Sequence, residues 1–180
     1  MILTYNQCLD KYSSDYHIKK MIDSGAIHKI EKGIYSNEPF VSELAVISFK
    51  FPDAVFTLNS AFYFYDLTDV IPDHYYLATD RNASKIRDMR VKQIFEHPVL
   101  VEVGLTTKIH KGVKIRIYDR EKMLMELIRN KVKLPYDYYK EIINRYRSII
   151  GDLDIEKIQD YATWLPKSKM LLETLQKEVF

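Results

Sequence analysis

Apolar residues recur along this chain with two different periods, and the changes of period mark its elements. Ile18, Met21 and Ile22 stand at i, i+3 and i+4. That spacing puts them on one face of a helix over residues 15–24 and leaves Tyr16, Lys19 and Lys20 on the other. A shorter helix before it starts at a Thr4 cap and runs through Lys11, and Tyr12-Ser13-Ser14 makes the turn between the two. Gly25 ends the second helix, as a residue that tolerates positive φ. Residues 26–35 then hold Ile27, Ile30 and Ile34-Tyr35, with Gly33 just before the last pair. This predicts two short strands with a basic tip at Lys29 and Lys32. Two helices and such a hairpin make a winged helix-turn-helix over residues 1–36. In that motif the second helix enters the major groove while the wing touches phosphates.

Asn37-Glu38-Pro39 reads as the junction to a second domain, residues 40–180. A helix is expected over 42–51, ended by Pro52. The β-branched, apolar run 54–58 predicts a strand. Asn59 or Ser60 then caps a short aromatic helix over 61–66. Further strands are expected over 73–79, 93–103, 105–110 and 114–118, the last alternating with period two. After Asp119 the pattern turns helical, with Met123, Leu124, Leu127 and Ile128 in one stripe. Pro135 starts the next helix, Asp154 caps another, and Pro166 opens the last. The fold class expected is α+β: a winged helix-turn-helix, then a mixed α/β domain ending in helices.

Composition narrows the picture. Of 180 residues, 47% are hydrophobic and 29% charged, which fits a globular protein and argues against disorder. The single Cys8 excludes an internal disulfide and a cysteine-based zinc cluster, and one free thiol fits a reducing cytosol. No apolar run approaches the ~18 residues of a membrane span, and the start Met1-Ile2-Leu3-Thr4 has no basic region leading into an apolar one. A cytoplasmic protein is expected. The net charge of +2 hides an uneven distribution. Residues 1–36 sum to +1, 37–80 to −6, 81–150 to +9 and 151–180 to −2. The basic block suits a polyanion or an acidic partner, unless the acidic block neutralises it within the fold.

The candidate chemistry is that of binding. Ser14, Tyr16, His17, Lys19 and Lys20 are the candidate DNA readers, with Lys29 and Lys32 as phosphate contacts. Asp15 and Asp23 on the same helix also fit a merely solvated face. Arg81, Lys85, Arg87, Arg90 and Lys92 form a second basic loop or helix. It adds phosphate contacts, meets an acidic protein surface, or is salt-bridged to the 37–80 segment. Asp152, Asp154 and Glu156 have the alternating acids of a Mg²⁺ loop, but they also stand where a helix N-terminus favours acids, and the second reading is preferred. The five histidines are scattered without an i, i+4 pair, so zinc is not expected. No cofactor is implied; no Walker, dinucleotide or nucleophile-elbow motif occurs. The aromatics Phe62, Tyr63, Phe64, Tyr65, Tyr75 and Tyr76 could stack bases but read better as core.

The order of several short motifs resembles one known family. Phe51-Pro52-Asp53-Ala54-Val55 leads through Asn59-Ser60-Ala61 to Tyr65-Asp66-Leu67-Thr68, Ile71-Pro72 and Leu77-Ala78-Thr79. This is similar to the start of the effector-side domain of the AbiEi family, antitoxins of abortive-infection, type IV toxin–antitoxin pairs. Tyr118-Asp119-Arg120-Glu121-Lys122-Met123-Leu124-Met125-Glu126-Leu127 resembles a later family segment, written about "S-P-E-K-T-L-x-D-L". Ile27 to Tyr35 resembles the family's N-terminal winged domain. The likeness covers nearly the whole chain, with Met123 standing where threonine is usual. The family's winged domain usually has one more helix before the one at Thr4, so the winged domain here is shortened.

The resemblance implies a protein that is not an enzyme. It implies repression of its own operon through an inverted repeat upstream, and neutralisation of a cognate nucleotidyltransferase-like toxin without need of a stable complex. Two rivals stand beside it. One is a small nuclease or nucleotidyltransferase relative, which would need an acidic motif and a lysine on adjacent strands; Glu102 has no partner carboxylate nearby in sequence. The other is a protein-interaction module whose winged helix no longer reads DNA.

Overall fold

The Gln7 backbone N–H donates to Thr4 Oγ1 at 3.2 Å, and the Thr4 N–H donates to Gln7 Oε1 at 2.8 Å. This reciprocal cap starts α1 (Tyr5–Tyr12). Ser13 closes it in the left-handed conformation and Ser14 caps α2 (Asp15–Asp23). These elements belong to a computed structural model that describes residues 1–180. The chain divides into two units, Met1–Pro52 and Asp53–Phe180. The fold is α+β, with a three-stranded and a five-stranded sheet.

In the first unit β2 (His28–Glu31) and β3 (Ile34–Ser36) form the expected hairpin after α2. A strand that the sequence pattern did not reveal, β1 (Ile2–Thr4), pairs with the other edge of β3, giving the antiparallel order β1-β3-β2. Leu3, Cys8, Ile18, Ile27 and Tyr35 make the core, with Met21 and Ile22 against it, so the predicted inward stripe of α2 is the buried one. Burial pushes the Cys8 thiol up, and the Lys11 charge pulls weakly the other way. The unit extends past the expected junction at 37–39 to take in α3 (Glu43–Lys50), capped by Ser42. Lys50 on α3 pairs with Glu31 on β2 at 2.7 Å, which ties this helix to the hairpin.

In the second unit, β4 (Val55–Phe56), β5 (Tyr75–Asp80), β6 (Val91–Glu96), β7 (Leu105–His110) and β8 (Val113–Tyr118) form one sheet in the order β6-β5-β4-β8-β7. β4 lies antiparallel to β5 and parallel to β8; β5 runs parallel to β6, and β7 antiparallel to β8. Three expectations shift. The strand over 54–58 shrinks to two residues because α4 (Leu58–Phe64) already starts at a Thr57 cap. The single strand over 93–103 breaks, because Pro98 opens α5 (Pro98–Glu102) behind a His97 cap. The last helix, α9 (Ser168–Glu178), begins two residues after Pro166.

The centre of this unit is α6 (Arg120–Arg129), which packs against α4, α8 (Ile155–Trp164) and α9. Eight consecutive residues, Glu121 through Ile128, are buried. Burying one Leu or Met side chain is worth about 1.5–3 kcal/mol, so the buried Met123, Leu124, Met125 and Leu127 anchor the unit. The turn into α6 is fastened by tyrosines. Tyr65 donates to the Tyr118 carbonyl at 2.9 Å, Tyr146 of α7 (Tyr136–Ser148) to the Arg120 carbonyl at 3.0 Å, and Tyr161 to Asp119 Oδ2 at 2.8 Å. Phe62 and Phe64 are core, as is most of Tyr76, so half of the aromatic cluster supports the sheet. No helix is long and apolar enough to cross a membrane.

Candidate functional site

Two places in the fold gather candidate functional side chains. In the first unit, the face of α2 opposite Ile18 carries Tyr16, His17, Lys19 and Lys20, all exposed. Tyr16, an aromatic residue, is 73% exposed and packs only edge-on to His17, with 5.5 Å between ring centres. The Ser14 hydroxyl is engaged in capping: its Oγ accepts from the His17 N–H at 3.3 Å and meets His17 Nδ1 at 3.0 Å. Asp15 accepts from the Tyr5 hydroxyl at 2.6 Å and so joins α2 to α1; this bond holds the Tyr5 hydroxyl above its ordinary range. Lys19 and Lys20 both stand exposed on this helix.

The hairpin corrects one expectation. Lys32 and Gly33 form the turn, with Gly33 at φ +79°, but Lys29 is not at the tip. Lys29 lies within β2, opposite Tyr35, because the strand continues through a bulge at Ile30 to Glu31. Its side chain is exposed on the strand, away from the turn.

The second basic group is divided between a loop and a strand. Residues 81–90 are a loop, not a helix, with Arg81, Lys85 and Arg87 exposed on it. Arg90 instead makes a two-pronged contact with Asp88, Nε to Oδ1 at 2.9 Å and Nη2 to Oδ2 at 2.7 Å, and holds the loop that enters β6. Lys92 stands on β6 with its Nζ 5.0 Å above the Tyr76 ring. Asp154 caps α8 by accepting from the Lys157 N–H at 3.1 Å, and the Asp152 carbonyl accepts from Arg120. Among the histidines, His97 caps α5, His74 pairs with Asp73 at 2.9 Å, and the His110 ring lies 4.5 Å from that of Phe64. Burial, with Lys111 and Lys108 nearby, lowers the His110 pKa.

The second place was invisible in the sequence. Lys122, fully buried in α6, sits between two carboxylates, 3.3 Å from Glu126 Oε1 and 3.7 Å from Glu96 Oε2 at the end of β6. Its Nζ lies 5.4 Å from the Tyr118 ring. Glu126 also accepts from Arg129 and Asn130. Burial raises the Glu96 pKa, the Glu126 charge raises it further, and Lys122 and Arg129 oppose both. Burial likewise drives the Tyr118 hydroxyl far above its usual value. Two acids and a lysine thus meet through tertiary structure, although they come from a strand and a helix rather than from adjacent strands. The one local signal was a Lys–Glu pair at i, i+4 inside an otherwise apolar run.

A cavity of about 560 Å³ opens beside this cluster. Lys92, Ile94 and Glu96 line it from one face of β6, and Glu126, Arg129 and Lys133 from the C-terminal part of α6 and the turn after it. No family model matches this chain, and no curated protein matches it.

Proposed function

We propose that this protein is a DNA-binding antitoxin that represses its own operon, with the first unit as the operator reader. The observation that carries the DNA reading is the outward face of α2. It presents an aromatic side chain, an imidazole and two exposed lysines on a helix whose opposite face is fixed in a core. A rigid short helix with such a face is what major-groove recognition needs. Lys32 in the hairpin turn and Lys29 along β2 suit phosphate contact, which positions a protein without reading sequence. The antitoxic role rests on the resemblance of the motifs around Pro52–Thr79 and Tyr118–Leu127 to the AbiEi family. In this reading the protein works in the cytoplasm, is not an enzyme, and counters a nucleotidyltransferase-like toxin.

A reporter fused to the operon's own promoter, in cells that also carry the toxin, tests both halves. Removing residues 1–52 should abolish repression and leave rescue from the toxin intact. Rescue lost together with repression, while residues 53–180 remain folded, contradicts this division of roles.

A further inference from the structure

The hairpin of β7 and β8 carries charge of one sign. Residues 105–118 hold Lys108, Lys111, Lys114 and Arg116 and no aspartate or glutamate. Arg116 meets Asp53 at 3.7 Å, but that carboxylate is fully exposed, so it offsets little. β7 is also an end of the five-stranded sheet, with β8 as its only strand neighbour. Its other side is an open edge, six residues long.

The turn fixes which groups face that edge. Lys111 and Gly112 both have positive φ, +47° and +79°, as a two-residue type I′ hairpin requires. The pair that flanks such a turn, His110 and Val113, exchanges both backbone hydrogen bonds. At the other end of the ladder the Asp119 N–H donates to the Gly104 carbonyl at 2.7 Å, which continues the same alternation. The backbone N–H and C=O of Thr106, Lys108 and His110 therefore turn toward β8, and those of Leu105, Thr107 and Ile109 point outward. Thr107 is exposed and Ile109 is 73% exposed, so the edge is open to solvent where it can bond. The side chains divide in the same register. On the Thr106, Lys108 and His110 face, Lys108 Nζ lies 5.1 Å from the Tyr65 ring and the His110 ring meets that of Phe64. Leu105, Thr107 and Ile109 share the other face.

We propose that the β7 edge docks an extended acidic segment of a partner protein, which joins the sheet as a further strand. Backbone bonds to Leu105, Thr107 and Ile109 hold it, and the cations of the hairpin select its charge. The register asks for acids beside Lys108 and His110, alternating with β-branched apolar residues beside Ile109. A second copy of this chain is a poor occupant, because β7 against β7 brings two basic hairpins side by side. Lysines on an edge strand are what prevents such self-pairing. A nucleic acid would answer the charge but leave the outward backbone groups and Ile109 unused. The edge belongs to the second unit, so the proposal stands apart from DNA reading by α2.

The test uses the full chain and a capped peptide of alternating glutamate and valine, about eight residues long. At saturating peptide, amide hydrogen exchange should slow about tenfold or more at Leu105, Thr107 and Ile109. It should stay unchanged at Thr106, Lys108 and His110, which the ladder to β8 already protects. A lysine–valine peptide of the same length should bind at least tenfold more weakly, about 1.4 kcal/mol. Lys111→Glu combined with Lys114→Glu, at two exposed positions, should weaken the acidic peptide by a similar factor. Thr107→Pro should abolish binding, since proline here removes only an outward N–H, which edge strands tolerate. Should that variant unfold, a proline at the centre of the peptide blocks the same pairing from the other side. Absence of binding at millimolar peptide overturns the proposal. So does protection of Thr107 and Ile109 that appears without peptide as protein concentration rises, which puts a second copy on the edge. Binding of poly-dT or random duplex at residues 105–118, with no response to the peptide, overturns it in favour of a nucleic-acid surface.

Discussion

Lys122 Nζ lies 3.3 Å from Glu126 Oε1, one helical turn along α6, and the lysine is wholly removed from water. Burying an ammonium costs several kcal/mol that only close carboxylates offset. Glu126 and Glu96 together do this, and Arg129 balances the second acid. The cluster is neutral as a set, which makes each member depend on the others.

Removing the lysine alone should therefore be severe. Lys122→Met keeps the length of the side chain but leaves Glu96 buried without its cation, so a loss of about 3–5 kcal/mol is expected in urea unfolding. Adding Glu96→Gln to that variant should restore part of the loss. A double variant no more stable than the single one contradicts this assignment.

The raised pKa of Glu96 gives a pH signature. Its carboxyl binds its proton more tightly in the folded state than in the unfolded one, whose value is near 4.5. Between those two values the folded state holds the extra proton, so stability falls as pH rises through the window. Below 4.5 both states are protonated and the penalty is absent. The stability of wild type minus that of Glu96→Gln should decline with rising pH from about 4.5 upward. A difference that grows with pH would mean that the Lys122 charge outweighs burial at this site.

Gly104 and Gly112 give a controlled pair. Both lie at positive φ, +73° and +79°. A Cβ on Gly104 would stand 2.5 Å from the Lys122 Cβ, whereas one on Gly112 meets nothing within 4 Å. Gly112→Ala should cost only the left-handed strain, about 1–2 kcal/mol. Gly104→Ala should cost clearly more, since the clash is with an atom fixed to the α6 backbone. Equal midpoints in chemical unfolding would contradict this.

The local signals in the sequence correspond closely to the local features of the fold. Thr4 and Asp154 cap helices as expected, whereas the cap expected at Asn59 or Ser60 falls at Thr57, and the Ile18, Met21 and Ile22 stripe faces the core of its unit. What escaped depends on partners distant in sequence. Ile2–Thr4 becomes a strand only because β3, over thirty residues later, offers an edge. The run after His97 is as apolar as a strand, and only Pro98 at the first helical position distinguishes it. The charge cluster was not legible because Glu96 lies twenty-six residues before Lys122, and no spacing rule joins a strand end to the middle of a buried helix. The charge blocks proved a partial guide: Arg145–Asp69 and Arg116–Asp53 do join the basic and acidic segments, but through acids that are almost fully exposed, where ion pairs contribute little.

The proposed reading of DNA by α2 is tested most directly by fluorescence anisotropy with the duplex upstream of the operon. Residues 1–36 carry a net charge of only +1, so few phosphates are neutralised per copy, and binding should need two copies on an inverted repeat about one helical turn apart. The logarithm of affinity should fall with that of salt at about −0.9 per phosphate contacted. Lys29→Ala and Lys32→Ala should weaken binding to every duplex and flatten that slope. Tyr16→Ala or Lys20→Ala should cost about 1–3 kcal/mol on the operator and little on random sequence. Wild-type protein that binds the upstream duplex no better than a scrambled one at moderate salt would contradict the claim.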